Sequence, residues 1–164
     1  MPTVERLDAT GWRDLREVRL AALRDSPGAF WATLKDESRY SRDDWVRFTR
    51  RVAWFVMVHE DLPARPSIGL VGCLRRSEAP DEPEIIGMWV RLDQRSTGTA
   101  DLLIDAAHHW ARSEGATSFA LWVIDGNQRA RRFYERHDYR TTGEEAPLPA
   151  GRPGREQRMR RLPA

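Results

Sequence analysis

Three apolar runs succeed one another in the middle of the chain, Ala53–Val58, Ile68–Leu74 and Glu84–Val90, each short and rich in β-branched or aromatic residues. That pattern reads as three buried strands and constrains everything around it. The turn Asp61-Leu62-Pro63-Ala64-Arg65-Pro66 makes the first two a hairpin, and Ser77 to Pro83 reads as a polar, proline-bearing connection to the third. Gly87 inside the third run is unusual for a strand interior and predicts a bulge or a close backbone approach.

On either side the period changes to that of a helix. Val4–Leu7 forms a short first strand, ended by Asp8-Ala9-Thr10-Gly11, with Thr10 as a helix cap. Trp12, Leu15, Val18 and Ala22 then make one apolar stripe until Asp25-Ser26-Pro27-Gly28 stops the helix. A second helix fits Asp43–Arg51 with Ser41 as cap, and a third runs from about Gly98 to Glu114, with Leu103, Ala106, Ala107 and Trp110 on one face. Phe119–Val123 is a strand, and Asp125-Gly126-Asn127 turns the chain into a helix carrying Ala130, Phe133, Tyr134 and His137. Tyr139–Glu145 and Gln157–Leu162 complete the order as two last strands around the Pro/Gly-rich stretch Pro147–Gly154. This order means a mixed α/β sheet. With 164 residues, no repeats and no long linker, residues 1–164 read as a single domain.

Composition excludes several classes. Hydrophobic residues are 40% and charged ones 32%, which suits a soluble globule and neither a disordered chain nor a membrane protein. The pI is about 9.1 although the net charge is only +2, because 26 of the 27 basic residues are arginine and Lys35 is the single lysine. A total so near neutral argues against a phosphate-covering nucleic-acid surface, so the arginine excess reads as coding bias. Lone Cys73 sits in a strand pattern and cannot form an internal disulfide, and the charged N-terminus has no signal-peptide core. A cytoplasmic location is expected, with no membrane segment. His108 and His109 follow Asp105 closely, but no further residues complete a ligand set, so no metal is expected.

The chemistry concentrates in Arg95-Ser96-Thr97-Gly98-Thr99-Ala100, where a strand hands over to a helix. Small residues there let successive N–H groups and the positive end of the helix dipole converge on one point, which suits a phosphate. An Arg-x-x-Gly-x-Ala loop after Gly-Met-Trp-Val, then Leu121-Trp122-Val123, then Asn127-x-x-Ala130-x-x-Phe133-Tyr134-Glu135-Arg136, resembles the GNAT superfamily of acetyl-CoA-dependent N-acetyltransferases. The resemblance covers about Thr3 to Leu162. It implies an α/β (α+β) GNAT-like fold: a central mixed, mostly antiparallel sheet splayed between its fourth and fifth strands and flanked by about four helices.

The same resemblance implies roles for residues. The backbones of Arg95, Ser96, Thr97, Gly98, Thr99 and Ala100 would hold the pyrophosphate of acetyl-CoA, and main-chain groups of Met88, Trp89 and Val90 would pair with the pantetheine like an added strand. Asn127 would hydrogen-bond near the pantetheine, and Tyr134 would act as general acid for the departing thiolate. Glu84 is the candidate base, since an aliphatic amine with a pKa of roughly 10 must lose a proton before it attacks. Three departures stand out: Thr99 for an apolar residue, Ser96 for a common glycine, and Asp138-Tyr139 for Gly-Phe, where aspartate strains a left-handed turn. Phe30 and Trp31 lie where the superfamily builds its acceptor wall, and an aromatic wall with nearby carboxylates suits a cationic amine.

The implied activity is acetyl transfer from acetyl-CoA to a primary amine of a small molecule or peptide by direct attack in a ternary complex, without a metal. The superfamily often forms homodimers. Two other readings are an inactive acyl-CoA-binding sensor or partner module, and acylation of aminoacyl-tRNA by a chain whose arginines meet RNA. Arg129, Arg132 and Arg136 share one helix face, and a C-terminal cluster runs from Arg152 to Arg161. Both read as solvated faces or as partners for the 3′-phosphate of CoA.

Overall fold

The computed structural model describes residues 1–163. Its strands are β1 (Pro2–Leu7), β2 (Val52–His59), β3 (Ser67–Arg76), β4 (Ala79–Val90), β5 (Phe119–Ile124), β6 (Arg140–Pro147) and β7 (Arg155–Arg161). The helices are α1 (Trp12–Asp25), α2 (Leu34–Glu37), α3 (Arg42–Arg51), α4 (Thr99–Ser113) and α5 (Gln128–Arg136). The strands form one sheet in the order β1-β2-β3-β4-β5-β7-β6, antiparallel everywhere except between β4 and β5. The mixed, mostly antiparallel sheet expected from the sequence is therefore present, with α2 a single turn beside four longer helices.

Alternation along the strands sends side chains to two cores, one on each face. Phe55, Met57, Val71 and Cys73 meet Leu103, Ile104 and Ala107 of α4 on one side. Trp54, Val56 and Leu70 meet Leu15, Val18 and Leu23 of α1 and Trp45 of α3 on the other. Each fully buried large apolar side chain contributes about 1.5–3 kcal/mol, so the faces of α1 and α4 fix these helices against the sheet.

Several boundaries differ from the sequence reading. Thr10 is not the cap of α1: a 3-10 turn over Ala9–Gly11 precedes the helix, and the Asp8 carboxylate accepts from the Thr10 N–H at 2.8 Å and its hydroxyl at 2.6 Å. Ser41 does cap α3, in a reciprocal pairing with Asp44. The stretch Ser77–Pro83 is mostly strand, because β4 begins at Ala79 after a tight turn. Pro80 and Pro83 fall where the β3–β4 ladder is irregular, between the pairs Leu74–Glu84 and Arg76–Ala79, so their missing N–H groups break no regular ladder there.

The β4–β5 junction decides the shape of the molecule. Its parallel register holds only at Glu84 opposite Ala120, and the N–H groups of Thr117 and Ser118 bond the Asp81 carbonyl just before it. Glu82 clamps that end. Its Oε1 accepts from Arg158 at 2.9 Å, and its Oε2 accepts from Arg160 Nε at 2.7 Å and from Ser118 at 2.8 Å. Beyond Glu84 the strands part. Gly87, at φ +62°, carries the bulge: Leu70 faces Trp89 and Gly72 faces Ile86, so β4 has one residue more than β3 between them. This is the splay between the fourth and fifth strands that the sequence implied.

Candidate active site

The parting strands open a cleft of about 1130 Å³. One wall comes from the segment after α1, including Phe30 and Trp31, and another from the β3–β4 hairpin with Arg76 and Glu84. The floor reaches Gly87 and Met88, and the far wall is Trp122 on β5 with Asn127 just before α5 and Tyr134 within it. Glu84, Met88, Asn127, Tyr134, Phe30 and Trp31 thus line one space, whereas Trp89, Val90 and the Arg95–Ala100 loop are not among its lining residues.

Glu84 is buried beside the last point of β4–β5 pairing. Arg76 donates to its Oε2 at 3.0 Å, and among the described residues nothing donates to Oε1. Tyr134 is also buried, edge-on to Tyr139 at 5.6 Å between ring centres. Burial raises the pKa of its hydroxyl well above the ordinary tyrosine value, so it keeps its proton at neutral pH. Asn127 caps α5, its side-chain oxygen accepting from the Ala130 N–H at 3.2 Å.

The Arg95–Ala100 loop lies at the open end of β4. Gly98 adopts φ +87° as the N-cap of α4, and Ser96 takes φ +64°, the left-handed region for which the glycine it replaces is better suited. Among the described residues the N–H groups of Ser96, Thr97, Gly98, Thr99 and Ala100 donate to no acceptor in the chain, whereas Arg95 N–H bonds the Leu92 carbonyl. Five free amides at the start of a fifteen-residue helix fit an anion such as a pyrophosphate.

Arg95 does more through its side chain. Its Nε donates to the Val90 carbonyl at 2.8 Å and its Nη2 to Asp25 at 2.6 Å. Asp25 also accepts from the Trp89 indole at 2.9 Å and from Ser26 at 2.8 Å. Those hydrogen bonds, from the Trp89 indole first, hold its carboxyl below the usual range. The end of α1 is thereby tied to the end of β4 and to the amide-lined loop. The Val90 carbonyl is thus engaged inside the chain.

Several participants were not anticipated. Arg19 and Glu37 form a buried ion pair at 2.9 Å within the cleft lining. Glu156 on β7 is buried and accepts from the Trp31 indole at 2.6 Å, and desolvation raises its pKa above the ordinary glutamate value. Arg152 donates to the Trp31 carbonyl at 2.9 Å and also to the Phe30 carbonyl, pinning the aromatic segment. The C-terminal arginines are not simply a solvated face: Arg158 and Arg160 hold Glu82, and Arg161 donates to His108 Nδ1 at 2.9 Å. His108 is a core group, its Nε2 2.7 Å from the Tyr139 hydroxyl, and burial pushes its pKa down to about 3. Among the described residues no group of three or more His, Cys, Asp or Glu side chains is placed to hold a metal ion. No helix among them is long and apolar enough to cross a membrane.

Comparison with known proteins now bears on this cleft. The model of the acetyltransferase (GNAT) family matches residues 12–139, most of the chain. The chain belongs to the GNAT acetyltransferase family. Comparison with curated protein sequences gives no match. Among solved structures it is similar to a GNAT-family acetyltransferase from Streptococcus pneumoniae, with 14% identity, 100% of each chain covered and a TM-score of 0.79. It also resembles yncA from Salmonella typhimurium, solved with its cofactor acetyl-CoA, with 16% identity, 99% of this chain and 94% of that one covered, and a TM-score of 0.75. A third is NAA60 from Arabidopsis thaliana in complex with a bisubstrate analogue, with 16% identity, 99% and 98% coverage and a TM-score of 0.73. At such identities the likeness is one of fold.

Proposed function

We propose that this GNAT protein transfers an acetyl group from acetyl-CoA to the primary amine of a small molecule or peptide, by direct attack in a ternary complex. The observation that carries the reading is the one-ended opening between β4 and β5, lined by Gly87 at the bulge and by Tyr134, with the free amides of Ser96–Ala100 in the loop that follows β4. The Salmonella typhimurium structure with acetyl-CoA and the Arabidopsis thaliana complex with a bisubstrate analogue support it.

In this reading the amides of Ser96–Ala100 and the start of α4 hold the pyrophosphate. Those main-chain groups of Met88, Trp89 and Val90 that face the splay and are not bonded within the chain pair with the pantetheine, and Asn127 borders its other side. Bound there, acetyl-CoA supplies a thioester carbonyl for the amine to attack. An aliphatic amine with a pKa of about 10 arrives protonated, and Glu84 takes that proton on Oε1 directly or through a water while Arg76 holds Oε2. Tyr134, kept protonated by burial, gives its proton to the departing thiolate.

The test is thiol release from acetyl-CoA across a panel of amines, with the acetylated product identified by mass. General acid–base groups contribute about 10²–10⁴-fold, so Tyr134→Phe and Glu84→Gln should each lower kcat within that range. Full turnover in both variants overturns the residue assignment. No thiol release with any amine, together with no calorimetric heat for acetyl-CoA, overturns the function.

A further inference from the structure

Arg19 occupies the apolar stripe of α1, one turn after Leu15 and one before Leu23, where a charge is costly unless it is satisfied. It is 6% exposed, lies over the ring of Phe30 at 5.1 Å, and lines the cleft. Its Nε and Nη2 donate to Glu37 at 2.9–3.2 Å. Nη1 has no acceptor among the described residues and is not among the buried polar atoms sealed off without a partner, and its residue lines the cleft. A Cβ placed on Gly87 would lie 2.8 Å from Nη1. The free end of the guanidinium therefore rests against the bulge, next to the main chain of Met88.

Elsewhere the wall mixes both signs, with arginines outnumbering the carboxylates of Asp44, Glu78 and Glu84. Arg47, Arg50, Arg51, Arg75 and Arg76 also line the cleft. Asp44 and Glu84 each pair with one of them, and Glu37 with Arg19, while Arg50 and Arg51 form no ion pair among the described residues. An acceptor that offers only an ammonium meets guanidinium groups on several sides. An amine that also carries an anion brings the complementary charge, and a planar carboxylate matches the geometry of a guanidinium edge.

We propose that the acceptor is a small amine with an anionic group close to its nitrogen, such as an α-amino acid or its phosphonate counterpart, and that Arg19 Nη1 receives the anion beside Gly87. This narrows the primary-amine acceptor to one that also carries an anion, and it rests on the acetyl-transfer reading. Arg19 is a specificity-determining residue here, and Glu37 positions it.

The experiment compares free amino acids, their carboxamides and aminoalkylphosphonates as acceptors for the wild-type protein. An acid should exceed its own amide by at least tenfold in kcat/KM, and the phosphonate arm shows which anion is preferred. Removing both charges of the buried pair (Arg19→Met with Glu37→Leu) should bring the acid-to-amide ratio close to unity. Arg19→Lys, which keeps the charge but lacks the fork, should lower the ratio if the double variant does not fold. Equal rates for acid and amide in the wild type overturn the proposal and leave acetyl transfer standing. Calorimetry on the CoA-loaded protein separates the two further: tenfold tighter binding of acid than amide without any thiol release sustains the anion subsite and refutes the transfer reading. Equal binding of both, without turnover, refutes the subsite.

Discussion

Replacing Gly87 with alanine tests the geometry at the heart of the cleft. Two costs meet at this position. Its φ of +62° is left-handed, which costs an L-residue about 1–2 kcal/mol. A Cβ there would also stand 2.8 Å from Arg19 Nη1 and 3.0 Å from the fully buried Trp54 ring, and overpacking of that kind costs about 1–3 kcal/mol. Together they predict a loss of about 2–5 kcal/mol. Two other glycines isolate the parts. Gly126 has φ +87° with nothing within 4 Å of a built Cβ, so Gly126→Ala reports the backbone cost alone. Gly72 has no positive φ, but its Cβ would meet Trp54, Ile86 and Val52 at 2.8–2.9 Å, so Gly72→Ala reports the packing cost alone. Urea unfolding of the three variants at one pH, with unchanged m-values, gives the comparison directly. Gly87→Ala should cost more than Gly126→Ala by about the overpacking amount. If the two cost the same, Arg19 and Trp54 do not press against the bulge, and the anion subsite loses its location.

His108 predicts a pH dependence. Its pKa falls from 6.5 to about 3 on folding, chiefly by burial, so the unfolded chain binds the extra proton; the stabilisation is full above 6.5 and is lost as pH falls towards 3. At about 1.4 kcal/mol per pH unit, the wild type should lose about 2 kcal/mol more than His108→Gln between pH 6.5 and 5. Identical slopes in urea titrations of the two proteins refute the neutral, buried histidine. Asp25→Ala removes the acceptor of the buried Trp89 indole and should cost about 1–3 kcal/mol, with the partly exposed Arg95 pair adding little. It should also weaken acetyl-CoA binding measured by calorimetry, because the amide-lined loop loses its tether, and Asp25→Asn should restore most of the stability. Unchanged acetyl-CoA affinity in Asp25→Ala removes the tether from the binding argument.

How much of this was readable beforehand follows from how local each signal is. The stripes of α1 and α4, the Ser41 cap and the Gly87 bulge depend on residues within one or two turns, and the sequence displays them. The left-handed conformations of Ser96 at φ +64° and Asp138 at φ +67° fall at two positions where the family resemblance puts glycine. The start of β4 was hidden because Pro80, Pro83 and the acidic residues Asp81, Glu82 and Glu84 look like a loop, and it is their pairing with β3 and β5, with Arg158 and Arg160 holding Glu82, that makes them a strand. The single turn of α2 is too short to show a period, yet it delivers Glu37. Arg19 did leave a trace, being a charge at an interior position of an apolar stripe, but its partner and its reach to Gly87 are tertiary facts.

The arginine surplus changes meaning once those partners are known. Arg158 and Arg160 close the base of the β4–β5 opening on Glu82, and Arg95 fastens the opposite end of β4 to Asp25. Between these two fastened ends lies the stretch after Glu84 that has no partner on β5, so the ion pairs border the opening. A guanidinium suits such a place because it holds two groups at once in a fixed plane, as Arg95 does with Val90 and Asp25. Lysine in its place would keep the charge and lose one of the two bonds. The paired arginines therefore set the shape of the cleft, and the ones without ion pairs along its wall, Arg50 and Arg51, are left to attract what enters it.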